Sequence, residues 1–274
     1  MSTDRLSLDE EKSYILGLFQ ADGHLHKTGC SSGCFTISLQ KRDRPLLEEV
    51  RTRVPFPIGL HDYVVDTNFK QNYEHGVLSC ASKEACAWIN DLGVPYGRKS
   101  EIVAPPTIPF SEPDYYRGII DGDGSLGLTA KGRIKPFLSI VTASEALKVG
   151  YVEFLRGITG KGKKLNRNKR DNVYNICLYT EDAQKATSVL YYPGCFAMPR
   201  KLEKAEDVMG WVRPAEMRVV EERNEWTQEE DRIVRKYPVE TAAQILGRSC
   251  SSVANRRFRL RQVTSTEPFC RIPA

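Results

Sequence analysis

Two motifs recur in this chain, in the same order and at nearly the same spacing. Residues 14–23 (YILGLFQADG) resemble residues 115–124 (YYRGIIDGDG), at an offset of 101 positions. Residues 96–100 (YGRKS) match residues 198–202 (MPRKL), at an offset of 102 positions. Because two unrelated motifs repeat together, the sequence predicts a duplicated structural unit.

Each copy shows the same series of helix-like and strand-like patterns. The motif itself begins as a helix, and apolar alternation predicts strands after it. The predicted strands are 35–39, 62–65, 77–81, 136–141 and 173–178, and the further helices are 45–53, 83–92, 145–158 and 181–190. Each half is therefore predicted to run helix, two strands, helix, two strands, helix. A proline-rich, extended linker at 102–113 joins the halves.

Small residues lie four apart in both motif helices. Gly17 and Ala21 share one helix face, and Gly118 and Gly122 share the equivalent face. Small residues at this spacing let two helix backbones approach closely. We therefore expect the two motif helices to pack against each other at the centre of the molecule.

Each motif helix ends in an aspartate. Asp22 and Asp123 lie at helix C-termini, where the helix dipole disfavours a carboxylate, and two carboxylates that meet also repel each other. A divalent cation relieves both effects, since carboxylate oxygens and the backbone carbonyls of Ala21 and Gly122 are suitable ligands for Mg²⁺. An EF-hand calcium loop is excluded, because its required Gly and Glu positions hold Leu and Gly.

Composition sets broad limits on partners and location. The chain has 274 residues, 41% of them hydrophobic, and a net charge of +5. Its longest apolar runs are too short to span a bilayer, and its first residues lack a secretory signal. We expect a protein of the cytoplasm, nucleoid or an organelle interior, which is not secreted and does not contact membranes.

Eight cysteines are scattered over the chain. In a protein that is not secreted, we expect them to be reduced thiols. Cys30 and Cys34, with His24 and His26 nearby, leave open a zinc site, against the simpler alternative of small residues in a hairpin.

Basic residues cluster in two places that suit a phosphate backbone, although each cluster also fits a solvated surface loop. The first is 161–170, which contains Lys161, Lys163, Lys164, Arg167, Lys169 and Arg170 and no acid. The second is 248–261, with five arginines and no acid.

The two copies of the first motif resemble the LAGLIDADG motif of homing endonucleases, and the resemblance covers about residues 7–215. It implies an α+β fold of two pseudo-symmetric αββαββα units, whose antiparallel sheets form a saddle on double-stranded DNA. It also implies a monomer that cleaves both DNA strands with Mg²⁺ at a long target, usually one that lacks the mobile intron encoding the enzyme. We expect Mn²⁺ to substitute and Ca²⁺ to bind without supporting efficient cleavage.

The resemblance assigns roles to particular residues. It places the metal-binding acids at Asp22 and Asp123, and the lysines that order solvent around the phosphates at Lys99 and Lys201. Gln40 matches a polar residue that orders active-site water in the first half, and Thr142 is its weaker counterpart.

Five further positions bear on the symmetry of the two halves. Arg44 could reach the same solvent network, whereas its counterpart Ala146 cannot. Gln20 stands where Asp121 keeps the acid of the fuller motif, and Arg117, a large residue beside Gly118, is expected to face outward. The two halves differ, so the target should be asymmetric.

The tail is predicted to be three helices. A capping box at 227–230 opens the first helix, Pro238 ends it, and Gly247 ends the second. The arrangement resembles a Myb/SANT-like or helix-turn-helix domain, whose third helix would read DNA. Candidate contacts are Ser252, Asn255, Arg256 and Arg259. A protein-interaction SANT domain is the alternative.

The sequence thus predicts three domains: 1–104, 105–218 and 219–274. It favours a metal-dependent, site-specific DNA endonuclease. The alternative is a non-cleaving nucleic-acid-binding protein on the same scaffold, such as an intron maturase or a transcriptional regulator. Because both motif acids are retained, the endonuclease is the preferred hypothesis.

Overall fold

A computed structural model describes residues 8–28, 32–66, 71–162, 165–217 and 226–264. The chain divides into two compact units, Met1–Pro214 and Ala215–Ala274. Within the described residues, no helix is long and apolar enough to cross a membrane.

The first half of the larger unit follows the predicted order of helices and strands. Its elements are α1 (Glu10–Asp22), β1 (Gly23–Thr28), β2 (Ser32–Gln40), α2 (Arg44–Arg53), β3 (Gly59–Val65), β4 (Tyr73–Cys80) and α3 (Lys83–Leu92). The strands form one antiparallel sheet in the order β1-β2-β4-β3. Because side chains alternate along each strand, Phe35, Ile37 and Leu78 enter the core and their neighbours face away from it.

In the described residues, the second half repeats this plan with one strand fewer and one α-helix more. Its elements are α4 (Glu112–Asp123), β5 (Ser125–Leu128), β6 (Pro136–Thr142), α5 (Glu145–Thr159), β7 (Tyr174–Tyr179), α6 (Thr180–Leu190) and α7 (Pro199–Met209). The sheet has the order β5-β6-β7. No strand forms in the described part of 160–173, so the expected second pair of strands is reduced to β7. This segment carries the first basic cluster, which has no apolar alternation to bury against the core.

The two motif helices pack backbone against backbone, as their small residues predict. A Cβ atom built on Gly17 would lie 2.1 Å from the carbonyl oxygen of Tyr115, and one on Gly118 would lie 2.2 Å from that of Tyr14. Both distances are below any van der Waals contact, so these positions admit no side chain. The other sides of α1 and α4 are also buried, because the rest of the larger unit packs around both helices.

The linker between the halves is extended and anchored to both of them. The amide of Leu8 donates to Pro109 and the amide of Ser111 donates to the hydroxyl of Ser13, at 2.9 and 3.0 Å. The hydroxyl of Ser144 donates to the carbonyl of Val103 at 2.5 Å. The first two bonds tie the N-terminal ends of the two motif helices to each other, and the third fixes the linker to the start of α5.

The smaller unit contains the three predicted helices, α8 (Gln228–Lys236), α9 (Val239–Leu246) and α10 (Cys250–Thr264). The capping box between Thr227 and Glu230 is confirmed. The buried core of this unit is small and contains Val234, Ala242, Ala243 and Val253. Arginine side chains supplement it: Arg248 lies over the Trp226 ring at 4.2 Å and pairs with Glu230.

The six described cysteines are free thiols, as expected. Cys30 lies outside the described residues. No group of three or more His, Cys, Asp or Glu side chains able to hold a metal ion occurs in the described part of the chain.

Candidate functional site

The two motif aspartates are brought together by the central helix pair. Asp22 is the last residue of α1 and Asp123 is the last residue of α4. The Asp22 carboxylate lies against the neighbouring helix end, because a Cβ atom built on Gly122 would be 3.1 Å from its Oδ2. Asp22 is half-buried, whereas Asp123 keeps its solvent access. A recess of about 310 Å³ opens beside Asp123, lined in part by Lys99 and Thr142.

The electrostatics of this site disfavour two ionised carboxylates. Burial, and then the charge of Asp123, raise the pKa of Asp22 to about 6. Burial also raises the pKa of Asp123, although that side chain is solvent-accessible, because most of its surroundings are protein. The charges of Lys99 and Lys201 act in the opposite direction on both acids.

The two matched lysines each cap one motif helix. Lys99 Nζ donates to the carbonyls of Gln20 and Ala21 at the end of α1. Lys201 Nζ donates to Ile120, to Asp121 at 2.8 Å and to Gly124 at 3.0 Å around the end of α4. A helix C-terminus has free carbonyls and a negative dipole, and an ammonium group satisfies both. The repeated spacing in the sequence thus corresponds to a repeated contact.

Burial affects the acidity of both lysines. It lowers the pKa of Lys201 to about 8 and also lowers the pKa of Lys99. Lys99 reaches its position because the segment after α3 returns to β1, where the amide of Gly97 donates to the carbonyl of Leu25 at 2.7 Å. Lys201 reaches its position as the third residue of α7, the helix that begins at Pro199.

The donor set suits a hard divalent cation. It consists of two carboxylates with backbone carbonyls at the same helix ends, which are oxygen ligands of the kind that Mg²⁺ and Ca²⁺ take, whereas zinc sites are usually built from sulfur and nitrogen ligands. Burial and the neighbouring Asp123 raise the pKa of Asp22, and a bound divalent cation would offset both effects. The carbonyl of Ala21 accepts a hydrogen bond from Lys99, and Gly122 lies at the equivalent end of α4.

Gln20 and Asp121 occupy equivalent positions and hold the two halves together. Asp121 is fully buried and accepts hydrogen bonds from the hydroxyls of Tyr14 and Tyr191, at 2.6 and 2.7 Å, and from the amide of Met198 at 2.6 Å. Gln20 accepts a hydrogen bond of 2.6 Å from Tyr115.

The surroundings of the two positions explain why they differ. The Gln20 side-chain amide donates to the carbonyls of Gly93 and Ala104, at 2.8 and 3.1 Å, and a carboxylate has no proton for those bonds. The surroundings of Asp121 instead offer donors alone. Both side chains are engaged in these internal hydrogen bonds, so the departure from the fuller motif is structural.

Arg117 does not face outward, and that expectation was wrong. Its side chain is completely buried and pairs with Asp114. It also donates to the carbonyl of Phe196 at 2.9 Å and to that of Leu190 at 2.6 Å. Because α4 lies in the middle of the larger unit, it has no outward side over this stretch.

Sequence reasoning missed an ion pair that joins the halves beside the site. Arg200 on α7 donates to both carboxylate oxygens of Asp43, at 2.8 and 3.0 Å, and Asp43 is buried at the start of α2. The position of Arg200 next to Lys201 in the repeated motif was the available signal. Its equivalent in the first copy, Arg98, is exposed.

The polar residues expected near the solvent network have unequal settings. Gln40 is exposed at the end of β2, opposite His75. Thr142 is buried, and its hydroxyl accepts a hydrogen bond of 3.1 Å from the amide of Ser144. Arg44 is tied to Asp62 at 2.6 Å and to Glu48.

The basic cluster at 161–170 is divided between internal and exposed groups. Lys163 and Lys164 lie outside the described residues. Lys161 pairs with Asp182, and Arg167 donates to Tyr174 and to the carbonyls of Ala143 and Asn172. Lys169 and Arg170 are exposed, with Arg170 paired to its neighbour Asp171.

On α10, the candidate DNA contacts also divide into two groups. Arg256 forms a two-bond pair with Asp231, both bonds 2.7 Å long, and is partly buried. Ser252 is half-buried near the start of the helix, whereas Asn255 and Arg259 are exposed and lie four residues apart on one face.

Comparison with known proteins bears on the fold. No protein-family model matches this chain, and neither does any curated protein. Among solved structures, the chain resembles two single-lysine mutants of I-SmaMI, at 13% and 14% identity, with TM-scores of 0.50 and 0.51. The matches cover 72% of this chain and 89% and 88% of those chains. I-GzeII, described as a LAGLIDADG homing endonuclease in complex with its DNA target, matches at 13% identity and a TM-score of 0.49, over 72% of this chain and 88% of its own. The predicted α+β fold class is confirmed.

Proposed function

We propose that this chain is a site-specific, metal-dependent DNA endonuclease that cuts both strands of a long, asymmetric target, as a LAGLIDADG homing endonuclease does. The observation that carries the proposal is the meeting of Asp22 and Asp123 at the ends of two helices packed backbone to backbone. The fold shared with I-SmaMI supports it.

The acidic pair is costly unless it binds a cation. Two carboxylates at negative helix ends, one with its pKa raised to about 6, destabilise the protein at neutral pH. If Asp22 and Asp123 only stabilised the fold, amide side chains or an ion pair at these two positions would do so at a lower energetic cost. Asp22 and Asp123, with the carbonyls of Ala21 and Gly122, would hold Mg²⁺, which supplies Lewis-acid stabilisation and an acidified water.

The remaining residues of the site would neutralise negative charge and orient water. Lys99 and Lys201 compensate the carbonyls at the two helix ends and place positive charge beside the acids, where a phosphate would lie. Gln40, exposed at the end of β2, has an amide that can orient water. The recess beside Asp123 would give solvent access to the acid of the second half.

DNA is the partner that these features favour. Exposed cations, among them Lys169, Arg170 and Arg259, would contact phosphates. The two halves differ in strand number and in side chains, which suits a non-palindromic target bound by one copy of the chain. In the tail, Asn255 and Arg259 would extend the contact, since two linked modules bind more tightly than either does alone.

Selection from random DNA tests this proposal. The full chain is incubated with a plasmid library of randomised sites and Mg²⁺, and linearised plasmids are recovered and sequenced. We expect one long, asymmetric site to be enriched, and EDTA to abolish linearisation. Recovery of sites by binding without any linearisation would favour the non-cleaving alternative, a maturase or a regulator.

A further inference from the structure

The arginines that precede the two matched lysines have opposite surroundings. Arg200, on α7, donates to both carboxylate oxygens of Asp43, at 2.8 and 3.0 Å. Arg98, its equivalent in the first half, is exposed, and its side chain makes no hydrogen bond or ion pair with any described residue. One copy of the motif thus uses its guanidinium group inside the protein, whereas the other copy leaves it available to a ligand.

The buried carboxylate of Asp43 explains why Arg200 is held. Asp43 lies between β2 and α2, and its side chain is only 3% exposed, so its charge needs a counter-ion within the protein. Arg200 belongs to the second half and reaches this acid of the first half. The ion pair therefore connects the start of α2 to the start of α7, on one side of the acidic site.

No acid occupies the corresponding place beside Arg98. Counted from the end of β6, the residue equivalent to the buried acid is Glu145, and counted back from the start of α5 it is Ser144. Glu145 pairs with Lys148 at 2.6 Å, within its own helix. The Ser144 hydroxyl donates to the carbonyl of Val103 at 2.5 Å. Both side chains are thus used elsewhere, and the first arginine has no partner to match the one that its counterpart has.

Arg98 instead lines a recess of about 430 Å³. The acid in the wall of this recess, Glu101, is exposed and forms no ion pair with a described residue. The recess shares three lining residues with the one beside Asp123, namely Lys99, Ser100 and Ala143. A ligand that occupies it would therefore lie next to the acidic pair.

We infer that Arg98 binds a backbone phosphate of DNA in this recess, and that Arg200 makes no equivalent contact on the other side of the acidic pair. This inference rests on the DNA binding proposed above. A guanidinium group presents its N–H donors in a planar fork that matches two oxygens of a phosphate. The hydroxyl of the exposed Ser100 can donate to the same group, whereas the donors of Arg200 are already used by Asp43.

Unequal phosphate contacts should make the two DNA strands differ in cleavage rate. A cation that binds the phosphate positions it and compensates the negative charge that develops during its displacement. The DNA strand whose phosphate lies at Arg98 should therefore be cut first. A nicked form of a plasmid substrate should then appear before the linear form.

The test uses a duplex recovered by binding selection with the full chain, and binding is measured in EDTA so that neither strand is cut. Each phosphate in turn is replaced by a methylphosphonate, which carries no charge, and the dissociation constant is measured for the parent protein and for Arg98→Gln. In the parent, binding should weaken about tenfold at the phosphate that Arg98 contacts. In Arg98→Gln this penalty should disappear, on one DNA strand, while the penalties at other phosphates persist.

A matched control and a second readout accompany this measurement. Arg51→Gln makes the same exchange at an exposed arginine near the end of α2 and should keep every penalty of the parent. Thermal melting of both variants checks that the fold is kept. With Mg²⁺ and a different fluorophore on each DNA strand, Arg98→Gln should slow the cleavage of one strand severalfold and leave the other strand unchanged.

The outcomes separate this inference from the proposed function. If Arg98→Gln keeps every methylphosphonate penalty, loses penalties on both DNA strands or slows both strands equally, the one-sided contact is contradicted, and cleavage by the parent leaves the endonuclease intact. If the penalty is lost on one strand but Mg²⁺ supports no cleavage by the parent, the phosphate contact is supported and the endonuclease is removed. Failure to recover any duplex overturns both.

Discussion

Tyr14 on α1 donates a hydrogen bond of 2.6 Å to the buried carboxylate of Asp121 on α4. Tyr115 on α4 makes the equivalent bond back to Gln20 on α1. The tyrosine that begins each motif thus donates to the polar side chain two residues before the motif aspartate of the other helix. These crossed bonds lock the two helices in the register that brings Asp22 and Asp123 together.

Removing the Tyr14 hydroxyl should destabilise the larger unit. Tyr14→Phe takes one of three donors from a fully buried carboxyl group, which should lower the free energy of unfolding by about 1–3 kcal/mol. Urea denaturation measures this loss. Tyr63→Phe removes a hydroxyl from an exposed ring on β3 and should have almost no effect. Equal losses from both variants would show that the crossed bond contributes little.

The close helix contact should not tolerate a methyl group. Gly17→Ala and Gly118→Ala place Cβ atoms near 2 Å from opposing carbonyls, so each should cost roughly 3 kcal/mol or more, or prevent folding. Gly157→Ala on α5 meets open space and should be neutral or stabilising, by up to about 1 kcal/mol. The variants can be ranked by thermal melting. A stable, unchanged Gly17→Ala protein would contradict the backbone contact.

Metal-free protein should lose stability as pH rises through the range in which Asp22 ionises. The folded-state pKa is about 6 and the unfolded value is 3.8, so between these values the folded state holds the extra proton. The contribution of the neutral carboxyl is therefore complete below about pH 4 and lost by about pH 6. In EDTA at pH 7, Asp22→Asn should be more stable than the parent, by about 1–3 kcal/mol.

Two comparisons check this linkage. The difference between Asp22→Asn and the parent should disappear at pH 4, and added Mg²⁺ should raise the melting temperature of the parent far more than that of the variant. Asp207→Asn, which changes an exposed acid on α7, serves as the control. An Asp22→Asn protein less stable than the parent at pH 7 in EDTA would mean that the ionised acid has a structural partner.

The exposed face of α10 should contribute to DNA binding. Arg259→Gln should weaken target binding severalfold and reduce the salt dependence by about one released counterion. Asn255→Ala should weaken binding and relax selectivity at one base pair, by roughly 1–3 kcal/mol. Arg232→Gln removes an exposed, ion-paired arginine on α8 and is the matched control. If all three variants bind alike, the tail has another partner.

Sequence patterns predicted the contact between the two motif helices, the pair of equivalent lysines and the bounds of one further helix. Small residues at helical spacing predicted the contact between α1 and α4, and the repeated lysine motif indicated a pair of equivalent groups. The helix at Lys83–Leu92 was predicted with its observed bounds. The helix contact and the helix bounds depend on neighbours within a few helical turns, and the lysine pair depends on an internal repeat, so the sequence alone carries all three.

Long-range contacts could not be predicted in the same way. Whether position 20 or 121 needs an acceptor or a donor depends on carbonyls and amides that lie more than 70 residues away in the chain. Arg117 was misjudged because burial of α4 on all sides is a property of the assembled unit. The strand missing from the described part of the second half had a local sign, the unbroken basic cluster, which was interpreted as a DNA contact or a solvated surface loop and not as the loss of a strand.

The most direct measurement of the central claim is the cleavage of a plasmid that carries the selected site. With Mg²⁺, the parent protein should convert supercoiled plasmid to the linear form. Asp22→Asn and Asp123→Asn should each abolish double-strand cleavage while binding to the same site persists, and Asp207→Asn should cut normally. Linear product from both motif-acid variants, at the rate of the parent, would contradict the assignment of this acidic pair as the catalytic metal site.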